Sequence, residues 1–301
     1  MSDTVENTAE NTAENTAENT AEDTAEDTVE DTAEDTVGDA VKDIVTARHG
    51  AALVVTFDRP EVLNAFRDRT FAELGAALDE AERDETVRAV VLTGRGRAFS
   101  SGVDLTETRE RLSRTASRDL AATVEDFQDV TRRLVAFPKT VISAVNGIAV
   151  GVGAELAIAS DLRIAAEEAE FAFMEVRRGL YPTNGVLYFL PRLVGHGRAA
   201  DLLLSGERIG AAEALGAGLV SRVVPGEDLL ATAVALAETI GSAAPVPVGL
   251  IRRHLRRTWE LDLEGVLALE VEGCLACLRS ADLAEGLHAF GDGRGPEFHG
   301  D

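Results

Sequence analysis

Three near-continuous apolar runs, each stopped by proline or glycine, limit what this chain can fold into more than any other feature. They are "AALVVTFDRP" (51–60), "VRAVVLTG" (87–94) and "TVISAVNG" (140–147). Short β-branched runs without polar alternation fit strands buried on both faces, as in a parallel sheet. Between them, Phe71, Leu74, Leu78 and Ala81 recur at helical spacing, and Phe127, Val130 and Leu134 mark a second helix that must stop near Pro138. "RGRAFSSGVDL" (95–105) reads as a loop, and the glycine-rich stretch after Asn146-Gly147 reads as opening a helix that bears Glu155. "DLRIAAE" and "AEFAF" read as short strands, and "GLVSRVV" (218–224) as the last one. Beyond about residue 228 the pattern is helical throughout. Strands alternating with helices, then helices alone, predict an α/β core over 42–228 and a helical C-terminal region over 229–301.

The formal charge of −24 is concentrated at one end of the 301 residues. From Glu6 to Val37 the chain repeats every four residues as Glu-(Asn/Asp)-Thr-(Ala/Val), and no Lys or Arg precedes Lys42. The first 41 residues hold 14 of the 53 acidic side chains, which leaves 39 acidic against 29 basic residues in the remainder. Such a segment cannot bury enough apolar surface to offset its chain entropy, so residues 1–41 are expected to form a disordered acidic tail. It lacks the basic start and long apolar run of a secretory signal. The body is still net negative and shows no basic stripe interleaved with aromatics, which argues against a nucleic-acid partner. Charges interrupt every apolar run, so no membrane span is expected.

The only cysteines, Cys274 and Cys277, sit in the helical pattern "LALEVEGCLACLRS" with no second Cys or His pair nearby. Zinc is therefore not expected there, and a reducing, cytoplasmic setting fits. The five histidines show no metal-ligand spacing, so no metal site is predicted. Neither G-x-G-x-x-G nor G-x-x-x-x-G-K-[ST] occurs in the glycine-rich region, and "AFSSGVD" is not G-x-S-x-G. Two glycine-containing loops remain, "FSSGVD" and "VGVGAE", each placed after a strand. Loops of this kind free backbone N–H groups from the sheet, and two converging donors would hold a developing oxyanion. On spacing alone, Glu155 is a helix-start acid and Glu175 a surface acid beside Arg177 and Arg178. The basic cluster "RRHLRR" (252–257) reads as a solvated helix face, with contact to a phosphate or an acidic carrier protein as the alternative.

In order along residues 50–290, "DRPEVLNAF", "VVLTGRGRAFSSGVDL", "FPKTVISAVNGIAVGVGAELAIASDLRIA", "AEFAFMEVRRGLYP", "LPRLVGHGRAADLLLSGERIGAAEALGAGLVSRVV" and "EGLHAF" resemble the crotonase (enoyl-CoA hydratase/isomerase) superfamily. The resemblance implies a ClpP/crotonase-like spiral of ββα units with a helical C-terminal oligomerisation region, assembled as a homotrimer or a dimer of trimers. It implies an acyl-CoA or acyl-carrier thioester as substrate, with coenzyme A entering as part of that substrate and no other cofactor. The oxyanion hole would be the backbone N–H groups of Val103 and Val152. Valine stands at 152 where the family usually has glycine, so added bulk beside the thioester is expected. Glu155 and Glu175, twenty residues apart, match the paired catalytic glutamates of the hydratases. Two carboxyls sharing one water can divide the proton transfers of hydration, and which of them holds the proton stays open.

The resemblance also places Asp104, Leu105, Tyr181 and Thr183 against the substrate, with the adenine end of CoA near "EVLNA". Arg97 and Arg294 are the candidates for CoA phosphate contacts, since Glu61 stands where relatives often carry a basic residue. The implied reaction is reversible addition of water across a 2-enoyl thioester, a lyase activity. Isomerisation, decarboxylation or retro-aldol cleavage of an unusual acyl group is the alternative within the family. A non-catalytic binding protein on the same fold is the alternative outside it.

Overall fold

The computed structural model describes residues 42–116 and 119–301; the acidic repeat expected at 1–41 lies outside the described residues. The described chain opens with a hairpin, β1 (Ile44–His49) and β2 (Ala52–Phe57), paired antiparallel. Helix α1 (Asp68–Arg83) leads to β3 (Ala89–Gly94), β4 (Ala98–Ser100), α2 (Leu105–Arg114) and α3 (Leu120–Ala136). Next come β5 (Thr140–Val145), β6 (Ile148–Val150), α4 (Val152–Ala159), β7 (Leu162–Ala166) and β8 (Glu170–Ala172). Helices α5 (Val186–Val194) and α6 (His196–Ser205), β9 (Arg208–Gly210), α7 (Ala211–Gly216) and β10 (Arg222–Val224) complete the mixed region. The rest is helical: α8 (Leu229–Gly241), α9 (Pro245–Leu255), α10 (Leu263–Arg279) and α11 (Ala281–Asp292).

Two sheets result. The larger has the order β1-β2-β3-β5-β7-β10, parallel from β2 onward, and the smaller has the order β4-β6-β8-β9. Each central strand of the first sheet hands the chain to a short strand of the second: β3 to β4, β5 to β6, β7 to β8. This strand–strand–helix repeat is the spiral of ββα units expected from the resemblance. The apolar runs form the middle of the larger sheet because both of its faces are covered; every residue of β5 is buried. Helix α8 sets Leu229, Ala233 and Ala237, one residue per turn, against Val54, Val91, Ala144 and Ile164. The alternate residues Val55, Val90, Leu92 and Val145 pack with Leu74, Leu78 and Leu134 of α1 and α3. The first helix of the C-terminal region is thus part of the central packing.

Several expected boundaries move. The loop at 95–105 contains β4, and the stretch after Asn146-Gly147 forms β6 before its helix starts. Both strands, like β9, are three residues long, too short to show a period. β1 exposes five of its six residues as an edge strand, so no apolar pattern marks it. The strand expected at 218–224 shortens to Arg222–Val224 because Gly218, at φ +78°, turns the chain and Leu219 donates its N–H back to Ala214. Among the described residues, no single helix is long and apolar enough to cross a membrane.

The cluster at 252–257 is not simply a solvated face. Arg252 is buried; it bonds Asp161 at 2.5 Å and the carbonyls of Leu134 (2.6 Å) and Phe137, where α3 ends. Arg256 bonds Asp161 at 2.8 Å and the carbonyl of Ala159 at 2.9 Å, where α4 ends. A guanidinium suits these positions because the last carbonyls of a helix are unpaired and carry its negative dipole end. Of the four arginines in this cluster, Arg253 and Arg257 are the exposed ones. Replacing Arg252 with alanine leaves the Leu134 and Phe137 carbonyls without this donor and Asp161 with Arg256 as its remaining arginine. The expected loss of stability, read by urea unfolding, is about 3 kcal/mol, whereas Arg253→Ala is expected to stay within about 0.5 kcal/mol of the parent.

Candidate active site

Two loops meet where α4 begins. In the first, the N–H of Phe66 donates to the Gly102 carbonyl at 2.8 Å and the N–H of Asp104 donates to the Phe66 carbonyl at 2.7 Å. Val103 is thereby held in a one-residue parallel bridge with Phe66, and its own N–H has no acceptor among the described residues. In the second, Gly151 adopts φ 54° and ψ −126°, a conformation that disfavours any side chain, and Val152 becomes the first residue of α4. A helix cannot pair its first N–H groups internally, so that of Val152 is also free. The loops are in close approach: a Cβ on Gly102, whose φ is +99°, would stand 3.0 Å from the Val150 oxygen and 3.7 Å from the Val152 nitrogen. The side chain of Val152 packs in the main hydrophobic core, so the bulk expected beside the thioester is directed away and the residue offers its N–H.

Glu155 is the fourth residue of α4, a helix buried at every position, and is only 1% exposed. The Asn184 amide donates to its Oε2 at 2.9 Å and the Thr183 N–H donates to its Oε1 at 3.3 Å. Its carboxyl is raised from the ordinary 4.5 to about 7: burial is the largest cause, the Asn184 hydrogen bond opposes it, and the charge of Glu175 adds to it. Glu175 starts a short 3-10 turn just after β8. Its carboxyl is also raised by burial, against the pull of its own backbone N–H and of Arg178. Its Oε2 is buried with no partner among the described residues. Its Oε1 borders the second loop, 3.0 Å from where a Cβ on Gly151 would lie.

The other residues singled out in the sequence are placed as follows. Thr183 reaches Glu155 through its backbone, while Tyr181 is 71% exposed. The Asp104 carboxylate is engaged by Arg59 at 3.2 Å and accepts the Thr106 N–H at 3.1 Å, which starts α2. Leu105, the first residue of α2, is largely exposed. Arg97 is exposed in the loop between β3 and β4. Arg294 is held by both oxygens of Glu285, at 2.6 and 2.9 Å. Nothing in the sequence pointed to the Asn184 amide as the side-chain partner of Glu155, nor to Thr131 and Gln128 on α3. Thr131 donates its hydroxyl to Asn184 Oδ1 at 3.1 Å, and Gln128 donates to the Thr183 carbonyl at 3.0 Å. Among the described residues, no group of three or more His, Cys, Asp or Glu side chains could hold a metal ion. An apolar cavity of about 420 Å³ beside Tyr188, Ile251, Leu255 and Trp259 is lined by neither glutamate.

Many known proteins are similar to this chain. The sequence profile described as enoyl-CoA hydratase/isomerase matches residues 47–301. The chain belongs to the enoyl-CoA hydratase/isomerase family. It is 39% identical to the 1,2-epoxyphenylacetyl-CoA isomerase of Escherichia coli, over 82% of this chain and 95% of that protein. It is 38% identical to the short-chain-enoyl-CoA hydratase of Clostridium acetobutylicum, over 82% and 94%. The crystal structure of an enoyl-CoA hydratase from Bacillus anthracis superposes with a TM-score of 0.81 at 32% identity, covering 86% of this chain and all of that one. The crotonase fold and the character of an enzyme of this family follow.

The ionisation of Glu155 makes stability depend on pH. In the unfolded chain it ionises at 4.5 and in the folded protein at about 7, so the native state binds the extra proton between these values. Stability from this group is intact below pH 4.5 and falls as pH rises towards 7. The difference in unfolding free energy between the parent and Glu155→Gln is therefore expected to move by about 3 kcal/mol in favour of the variant between pH 4 and pH 8, measured by urea denaturation at each pH.

Proposed function

We propose that this enzyme adds water reversibly across the double bond of a 2-enoyl-CoA thioester. The observation that carries the reading is a buried Glu155, its carboxyl brought to about 7, and a half-buried Glu175 with its Oε2 unpartnered, together with the N–H groups of Val103 and Val152 that have no acceptor among the described residues. The thioester carbonyl accepts from these two N–H groups. A water oxygen bonds to Cβ as the double-bond electrons move toward the carbonyl oxygen. A glutamate carboxylate takes the proton that this water loses. The enolate then collapses as the other glutamate, in its acid form, gives a proton to Cα. The pair starts and ends with one proton between its two members, so the cycle closes in either direction. The charge of Glu175 raises the proton affinity of Glu155, so the pair resists double ionisation.

The hydratase names among the relatives support this reading. Double-bond isomerisation is the second reading, favoured by the isomerase relative at 39% identity; it uses the same oxyanion but moves the proton between carbons. For the CoA phosphates, Arg97 is the better candidate of the two, since Glu285 already engages Arg294. Assembly as a homotrimer or a dimer of trimers is supported by the exposed Leu263, Val271 and Leu278 on α10 and by Phe290, 89% exposed, on α11. A cytoplasmic location and the absence of a metal or other cofactor complete the proposal.

Turnover of short 2-enoyl-CoA thioesters, followed as loss of the conjugated absorbance with products identified by NMR, tests it. Glu155→Gln and Glu175→Gln are each expected to lower kcat by about 10²- to 10⁴-fold. A product with a shifted double bond and no added hydroxyl would replace the hydratase reading with the isomerase one. The parent's kcat/KM is expected to follow a bell whose upper limb lies near pH 7, where Glu155 loses its proton in the free enzyme. Bound substrate removes water and holds the proton on more firmly, so the upper limb of kcat should lie at higher pH.

A further inference from the structure

Asn184 lies 0% exposed between α3 and α4, and each end of its amide has a partner. An amide presents a donor at one end and an acceptor at the other, so its orientation decides whether it supports or opposes a carboxylate. Thr131 makes that choice. Its hydroxyl donates to Asn184 Oδ1 at 3.1 Å, which leaves the NH₂ group to donate to Glu155 Oε2 at 2.9 Å and to Thr183 Oγ1 at 3.2 Å. Turned over, the amide would set its oxygen against Glu155 and its NH₂ against the Thr131 hydroxyl. Gln128 sits one turn earlier on the same side of α3 and fixes the Thr183 carbonyl at 3.0 Å, so the loop is tied twice to one helix.

We infer that Asn184, oriented by Thr131, is a positioning residue that holds the Glu155 carboxyl in its working geometry and keeps its ionised form accessible. The inference rests on the proposal that Glu155 carries a proton in the reaction. The hydrogen bond from Asn184 favours the ionised form, against burial and the charge of Glu175. The charge of Glu175 is among the largest influences on Glu155, and Glu175 is itself drawn down by Arg178. Helix α3 and the 183–184 loop meet Glu155 with the uncharged groups of Thr131, Asn184 and Thr183. Without the correctly turned amide, the carboxyl keeps its proton to higher pH and loses its fixed direction.

The test compares Thr131→Val, which keeps the shape and removes the donor, with Thr131→Ser, which keeps the donor. The titration of Glu155 is read by infrared difference spectroscopy of the carboxyl band, with Glu155→Gln subtracted, and the pH profile of kcat/KM is recorded alongside. Thr131→Val is expected to move the titration midpoint and the upper limb of the profile upward by roughly tenfold in proton concentration. Thr131→Ser is expected to leave both where they are in the parent. Should the valine variant fail to fold, Asn184→Ser supplies the same comparison, and the same upward displacement is expected. An unchanged midpoint in the variant lacking the donor, or equal displacement by Thr131→Ser, would overturn the inference. Because the infrared titration needs no turnover, a chain inactive on every 2-enoyl thioester would count against the hydratase reading and leave this result legible on its own.

Discussion

The chain must leave one sheet and enter another within a few residues, three times over, and the site follows from that constraint. β5 ends at Val145 and β6 begins at Ile148, while three residues separate β3 from β4 and β7 from β8. Such short crossings leave backbone groups that neither ladder can pair, and buried amides take them up. Asn146 accepts the Gly94 N–H at 3.0 Å and donates to Gly96 and Ala98 oxygens, and Asn64 donates to Arg95 and Ala98 oxygens. With these crossings fixed, β4 and β6 run side by side and release their C-terminal ends together. The loops carrying Val103 and Val152 are what comes next on each strand. In a parallel sheet the C-terminal ends of strands are where ligands find unpaired backbone, and the smaller sheet of this fold follows the same logic.

Placing an acid inside that arrangement opposes stability. Glu155 lies in a helix with every residue buried, and the fold sets donors around it without setting a cation against it. An arginine there would stabilise the ionised form outright and remove the proton affinity near neutral pH on which acid–base chemistry depends. An amide is the weaker remedy. It directs the carboxyl and lowers its proton affinity only in part. The same fold shows that the stronger remedy is available, since Asp161 is held by both Arg252 and Arg256 a few residues away. The contrast separates an acid that keeps two helices in place from one left able to exchange its proton.

Much of the larger sheet was legible because burial on both faces imposes a continuous apolar run, and α1, α3 and the C-terminal helices because one wet face imposes a period. β4, β6 and β9 were not legible, since three residues cannot display a period. The glutamates were visible only through the resemblance; alone, Glu155 has the spacing of an ordinary first-turn acid. Asn184 and Thr131 lay beyond sequence reasoning because their contact spans 53 residues and depends on which way an amide is turned. The four arginines at 252–257 carry a periodic signal of their own. Arg252 and Arg256 stand one helical turn apart and face inward, while Arg253 and Arg257 form the outward pair.

The two ends of α4 complete the argument. At its C-terminus the Ala159 carbonyl is bonded by Arg256, so the negative end of the helix dipole already has its counter-charge. At its N-terminus the Val152 N–H has no acceptor among the described residues, and the first side chains inward are apolar or belong to Glu155. A helix neutralised at one end and open at the other favours negative charge at the open end. Under the proposed reaction, an enolate forming there would meet a donor that does not have to reorganise, because Gly151 and the core-packed side chain of Val152 fix its direction. Glu155, one turn further in, is the group that would handle the proton under the same proposal. In the proposed hydration the backbone would carry the developing charge and the side chains the proton, with the eight residues of α4 keeping the two tasks apart.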